Sequence, residues 1–230
     1  IEVMPLTFQE FLDFKKIKIK KSEPELLNAY FKDYLRIGGI PHYVIHEDKE
    51  YLNELVQSII YKDIIAHYNI NNEKIIKELF RLLCERVGKV TSYNKLSNIL
   101  GVSVNSIKRY INYFEKSYLF YTVDKFSKSL NETITSPKKI YIGDVGIKSL
   151  ITGFRDLGAS YENLVFLKIK YLEPKYYIEN SIEIDFRTKE LLVEAKFGLE
   201  LNDKQKNIFD NVKIKNKIVA QGVSFFHDAF

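Results

Sequence analysis

Apolar residues recur every three or four positions through Leu26, Leu27, Tyr30, Phe31, Tyr34 and Leu35, which predicts an amphipathic helix. Ser22, Pro24 and Glu25 supply a capping start for it, and Gly38-Gly39 with Pro41 supplies the stop. Upstream, Thr7 caps a short helix over Phe8 to Leu12, and the Lys/Ile alternation from Lys15 to Lys21 reads as an edge strand or a loop. A second long helix, from about Lys49 to Tyr68, places Leu52, Leu55, Val56, Ile59, Ile60, Ile64 and Ile65 on one face. A third helix is predicted from Glu73 to Val87, and a fourth from Tyr93 to Leu100, ended by Gly101. A fifth starts at Val104 and runs through Phe114.

From Leu119 the period changes to two. Leu119 to Phe126 and Lys139 to Ile142 alternate like the strands of a wing, with the polar stretch Ser127 to Pro137 as its tip. Helices over Asp144 to Thr152 and Tyr161 to Tyr171 come next. Three strand-like runs, Lys175 to Ile178, Ile182 to Arg187 and Leu191 to Phe197, are joined by spacers of hairpin length. A polar helix from about Asn202 to Val212 and a strand from Lys217 to Gly222 complete the order. The fold class expected is α+β in three parts: a helical linker over 1–72, a winged helix-turn-helix over 73–143, and an α/β domain over 144–230 with a mixed central sheet flanked by helices.

Charge sharpens the middle part. Residues 73–129 carry 11 Lys and Arg against 5 Asp and Glu, a net of +6, whereas the whole chain of 230 residues is only +5. Within that segment Asn105, Ser106, Lys108, Arg109 and Asn112 fall on the outward face of the fifth helix, and all can bond to phosphates or base edges. Ile107, Tyr110, Ile111 and Phe114 fall on its inward face. A nucleic-acid footprint, DNA first, is one reading. A solvated lysine-rich surface or a protein-docking face is the other, since helix-turn-helix modules serve both.

Composition closes other routes. No run of eighteen apolar residues is present, so no membrane partner is expected, and the lone Cys84 can make no internal disulfide, which fits a cytoplasmic location. None of His42, His46, His67 and His227 is spaced for a zinc site with Cys84. The chain begins at Ile1, which reads as the start of a piece of something longer.

The candidate chemistry lies in the last third. Asp185 and Glu194 stand nine positions apart on two predicted neighbouring strands, where two carboxylates could bind a divalent metal. Lys196 falls on the strand face of Glu194, and Glu162 arrives from the preceding helix. A solvated acidic face including Glu183, or a salt-bridged core, is the competing reading. Ile184 and Phe186 would then pack on the face opposite Asp185.

The order of elements and the Glu162, Asp185, Glu194-Ala195-Lys196 pattern resemble the PD-(D/E)xK nuclease-like fold. Pro5 to Phe11, Gly38-Gly39-Ile40-Pro41, Tyr61-Lys62-Asp63-Ile64, Lys139 to Gly146, Glu162 to Phe166 and Glu183 to Phe186, taken with Glu194 to Lys196, are similar to the C-terminal half of archaeal and bacterial AAA-type ATPases of the DUF4143 kind. That resemblance implies an N-terminal ATPase module preceding Ile1 as partner, holding the ATP; this chain has no phosphate-loop motif. It also implies Mg²⁺ on Asp185 and Glu194 with the Ala195 carbonyl. Lys196 and Glu162 would complete a catalytic set for phosphodiester cleavage. Two non-cleaving readings stand beside it: a nuclease-fold adaptor for a protein partner or the ATPase, and a DNA-binding regulator.

Overall fold

The computed structural model describes residues 4–20 and 23–227. The first layer is helical: α1 (Phe8–Phe14), α2 (Pro24–Ile37), α3 (Pro41–His46) and α4 (Lys49–Ser58), which continues as a π-helical segment over Ile59–Ala66. Thr7 closes a full capping box with Glu10 at the start of α1. The Ser22 cap expected for α2 lies outside the described residues, and Lys15 to Lys20 forms no strand. Phe8, Phe11, Phe31 and Tyr34 pack ring against ring where α1 crosses α2, and Phe31 meets Tyr161 further on.

The second layer contains α5 (Glu73–Cys84), β1 (Val90–Thr91), α6 (Tyr93–Leu100), α7 (Val104–Lys116), β2 (Phe120–Val123), α8 (Leu130–Thr135) and β3 (Lys138–Ile142). Its three strands form an antiparallel sheet in the order β1-β3-β2. The stretch predicted as a polar tip holds the short helix α8, capped by Ser129. Ile107, Tyr110, Ile111 and Phe114 of α7 are buried, and Cys84 is buried in α5.

The third layer runs α9 (Val145–Thr152), α10 (Leu157–Ile169), β4 (Lys175–Glu179), β5 (Ile182–Arg187), β6 (Leu191–Lys196), α11 (Asp203–Asn211), β7 (Asn216–Gln221) and the short α12 (Ser224–His227). The sheet order is β4-β5-β6-β7, antiparallel until β7, which pairs parallel to β6 after the α11 crossover. The architecture is therefore α+β with two sheets. They are tied together by Phe126 N donating to Tyr176 O (2.7 Å) and Tyr176 N to Asp124 O (3.0 Å). One apolar cluster runs from Phe8 to Ala220 through all three layers, and a smaller one under α11 holds Ile184, Leu192, Ile208, Phe209 and Val212.

Two devices fix the position of β3 and its neighbours. The first is a glycine–aspartate knot between the helical layer and α9. Asp144 Oδ1 caps α9 by accepting from Gly146 N (2.8 Å) and Ile147 N (3.2 Å), while its Oδ2 accepts from Gly39 N (2.7 Å). Burial pushes this carboxyl up to about 6, against the three backbone donors that hold it down. The second is Asn163, fully buried on α10, whose side-chain amide accepts from Ile142 N (2.8 Å) and donates to Ile142 O (2.9 Å). It docks the helix onto the last residue of β3 as a neighbouring strand would.

Candidate functional site

Lys139 on β3 is 1% exposed, and its ammonium sits among three carboxylates: Glu183 Oε1 at 2.5 Å, Asp185 Oδ1 at 2.8 Å and Glu162 Oε1 at 2.8 Å. The three N–H bonds of an ammonium are thereby all engaged. Tyr141, two residues on and on the same strand face, donates its hydroxyl to Glu162 Oε1 at 2.6 Å. Glu162 is delivered by α10, which its neighbour Asn163 holds against β3, and Glu183 and Asp185 are delivered by β5.

Asp185 is aimed by an irregularity in β5. Two steps along β4, from Lys175 to Tyr177, oppose three along β5, from Arg187 to Ile184, so β5 carries a bulge there. The consequence corrects the strict alternation expected for this strand. Ile184 packs with the cluster under α11, but Phe186 packs 5.6 Å from Tyr141 and 6.3 Å from Phe166, on the side of Lys139. The bulge lets Asp185 and Phe186 serve the same side.

The other two residues of the predicted quartet form an adjoining group. Glu194 Oε1 lies 3.0 Å from Lys196 Nζ and accepts from Gln205 Nε2 of α11 at 3.1 Å. Asp185 joins the groups through its backbone and side chain: its N–H donates to Glu194 Oε2 (3.1 Å), and its Oδ2 accepts from Ala195 N (2.9 Å). Every oxygen of Asp185 and Glu194 thus already has a protein donor. Among the described residues no three His, Cys, Asp or Glu side chains are grouped so that they could hold a metal ion. In this arrangement the positive charge beside Asp185 and Glu194, the pair expected to hold Mg²⁺, comes from Lys139 and Lys196.

Electrostatics follow from crowding. Burial raises the Glu162 carboxyl to about 8, with Asp185 adding repulsion and Lys139 opposing both. Burial likewise raises Glu194 to about 7, against Lys196. Burial alone would lower the Lys139 ammonium, but Asp185, Glu162 and Glu183 hold it well above the usual lysine range. The folded chain therefore holds the Glu162 proton more tightly than the unfolded chain. Its contribution to stability is complete below the ordinary value of 4.5 and is lost as pH rises through about 8. Urea titrations should show the parent's midpoint falling from about pH 5 to pH 8, and Glu162→Gln should reduce that fall, leaving the share that Asp144 and Glu194 contribute. An unchanged slope in the variant would mean that Glu162 does not titrate in this window.

Sequence reasoning missed Lys139, Tyr141 and Gln205 as members of the group. The signal for the first two was present, since Lys139 and Tyr141 alternate with buried Ile140 and Ile142. Lys138 beside Lys139 disguised it as the solvated start of a strand. Lys138 itself reaches Asp124 at 2.6 Å.

The five α7 residues are placed apart from this cluster. Asn105, Lys108, Arg109 and Asn112 are exposed, while Ser106 is half-buried with its Oγ 3.0 Å from Ser103 Oγ. Lys108 and Arg109 make no ion pair among the described residues, and Arg109 lies 5.5 Å from the Tyr110 ring centre. No helix among the described residues is long and apolar enough to cross a membrane.

The chain belongs to DUF8612, a domain of unknown function, whose profile matches residues 28–158. That span includes the glycine–aspartate knot, α7 and Lys139. An uncharacterized protein of Methanocaldococcus jannaschii is 30% identical, covering 93% of this chain and 56% of that protein. An uncharacterized protein of Haemophilus influenzae is 27% identical, covering 96% and 59%. The chain thus spans little more than half the length of these relatives. No solved structure matches it.

This family overturns the assignment to DUF4143-type AAA ATPases, and the preceding ATPase module with its ATP loses the support on which it rested. The physical reason is visible in the landmarks. A Cβ at Gly38 would lie 2.2 Å from Asp144 Oδ1, and one at Gly146 would lie 2.0 Å from Ile37 O. The Gly38-Gly39 and Gly143-Asp144-Val145-Gly146 motifs are packing solutions, so their order along a chain reports a way of joining helices rather than an ATPase.

Proposed function

We propose that this chain is a DNA-binding protein in which a winged-helix-like unit reads duplex DNA and a PD-(D/E)xK-like domain is retained for binding rather than turnover. The observation that carries the reading is the outer face of α7, where exposed Asn105, Lys108, Arg109 and Asn112 lie along one side of a capped helix with the two cations unpaired among the described residues. Free guanidinium and ammonium groups beside amides are what phosphate and base-edge contacts require. The β1-β3-β2 sheet behind α7 supports the winged-helix comparison, and the α10-β4-β5-β6-α11-β7 order supports the nuclease-like one.

Fluorescence anisotropy with a labelled duplex at several salt concentrations tests it. The parent should lose affinity steeply as salt rises, and Lys108→Ala with Arg109→Ala should weaken binding at least tenfold and reduce the salt slope by about two. A double variant that binds like the parent would remove DNA contact from α7 and leave that face to a protein partner.

Mg²⁺-dependent cleavage is the second reading, favoured by the juxtaposition of Asp185, Glu194 and Lys196. Incubating labelled single- and double-stranded DNA with the parent and Asp185→Ala in millimolar Mg²⁺ decides between them: cutting by the parent alone would displace the binding-only reading.

A further inference from the structure

We propose that Lys139 is a built-in counter-cation, a side chain occupying the place among Glu162, Glu183 and Asp185 that a divalent ion would otherwise be drawn to, so that the cluster is complete without metal. The inference rests on the nuclease-like reading of the C-terminal domain for its interest, but not for its support. That support is the geometry around one nitrogen, with carboxylate oxygens at 2.5, 2.8 and 2.8 Å from three different positions on two elements.

A solvated surface lysine would gain little from such a setting and would not be buried for it. Lys139 is among the largest fully buried side chains of the described residues. Its ammonium lies 6.0 Å from the centre of the Phe186 ring. Three carboxylates brought this close repel one another strongly, and the fold tolerates them only with a cation at their centre. An ammonium supplies one charge and three directed donors, whereas Mg²⁺ or Mn²⁺ would supply two charges and demand ordered oxygen ligands and water. With the ammonium in place an incoming divalent ion meets a positive charge instead of free oxygens. The second cation, Lys196, satisfies Glu194 in the same manner, so the pair of lysines leaves neither carboxylate group open.

The consequence is specific to this chain. Removing the ammonium and its stem exposes Glu162, Glu183 and Asp185 to each other and opens room beside them. The cluster then takes up a hard divalent cation that the parent ignores.

The experiment is thermal unfolding of the full chain in Mn²⁺, Mg²⁺ or Ca²⁺ against a choline control, for the parent, Lys139→Ala and Lys139→Met. The parent should show no cation-specific shift. Lys139→Ala should rise by about 5–10 °C at a hundredfold excess over its Kd. Lys139→Met, which removes charge while keeping volume, should rise less. If Lys139→Ala does not fold unaided, its refolding yield with and without Mn²⁺ gives the same readout, and Lys139→Ala with Glu183→Gln relieves repulsion enough to allow the titration.

A cation-dependent rise in the parent as large as in Lys139→Ala would overturn the proposal, as would a Lys139→Ala variant indifferent to every cation. DNA binding is measured on the same samples through α7. Its failure would sink the DNA-binding reading while leaving the cation result standing, and the reverse holds equally.

Discussion

Gly38→Ala should lower the melting temperature by roughly 10 °C, a loss of about 3–5 kcal/mol. Gly38 closes α2 at φ 76° and ψ −158°, a region open in practice to glycine alone. An added methyl would meet Asp144 Oδ1 at 2.2 Å and Gly146 N at 2.6 Å. Neither neighbour can retreat: the carboxylate is fixed by three backbone donors, and the amide is one of them. Gly153→Ala provides the comparison, since Gly153 has a similar φ of 77° but open space around it. It should show backbone strain alone, roughly 1–3 kcal/mol. Equal losses in the two variants by differential scanning calorimetry would refute the close approach of α2 to Asp144.

The second large effect is expected at Lys139. In sodium-only buffer at about pH 8, Lys139→Met should cost about 3–5 kcal/mol, the loss usual when one partner of a buried ionic cluster is removed and the others remain charged. The loss should shrink toward about pH 5. Glu162, already raised to about 8 beside the lysine, takes up a proton over that interval and relieves the repulsion. Urea unfolding at the two pH values measures the gap between parent and variant. A gap that stays constant with pH would show that the penalty comes from packing, not from charge. The same variant carries the divalent-cation test, so stability and ion uptake are read from one protein.

The knot and the cluster meet on one short segment. β3 ends at Ile142, which Asn163 grips, and Asp144 comes two residues later as the cap of α9. A strand of five residues thus delivers Lys139 and Tyr141 to the carboxylates, and the turn after it locks the helical layer in place. Burial explains why this segment is so dense: every residue from Lys139 to Lys148 is buried.

Much of the fold was legible from local pattern. The helices α2, α6 and α7 and the strands β5 and β6 lie where the apolar period placed them, because a helix face or a strand face is set by residues close in the chain. The π-helical continuation of α4 and the short α8 were not legible, since neither alters the apolar period enough to be seen. The same limit applies to the site. Glu162, Asp185, Glu194 and Lys196 stood out as residue types at suggestive spacings, and the sequence by itself determined that two adjacent strands and a helix would carry them. Which oxygen faces which cation was decided only in three dimensions. The bulge in β5 turns Phe186 to the side of Asp185, and the β3 lysine arrives from 46 residues away along the chain. Ion pairing among buried groups depends on distances of about 3 Å between elements remote in sequence. No periodicity encodes such distances, and the packing of α10 and β5 against β3 sets them.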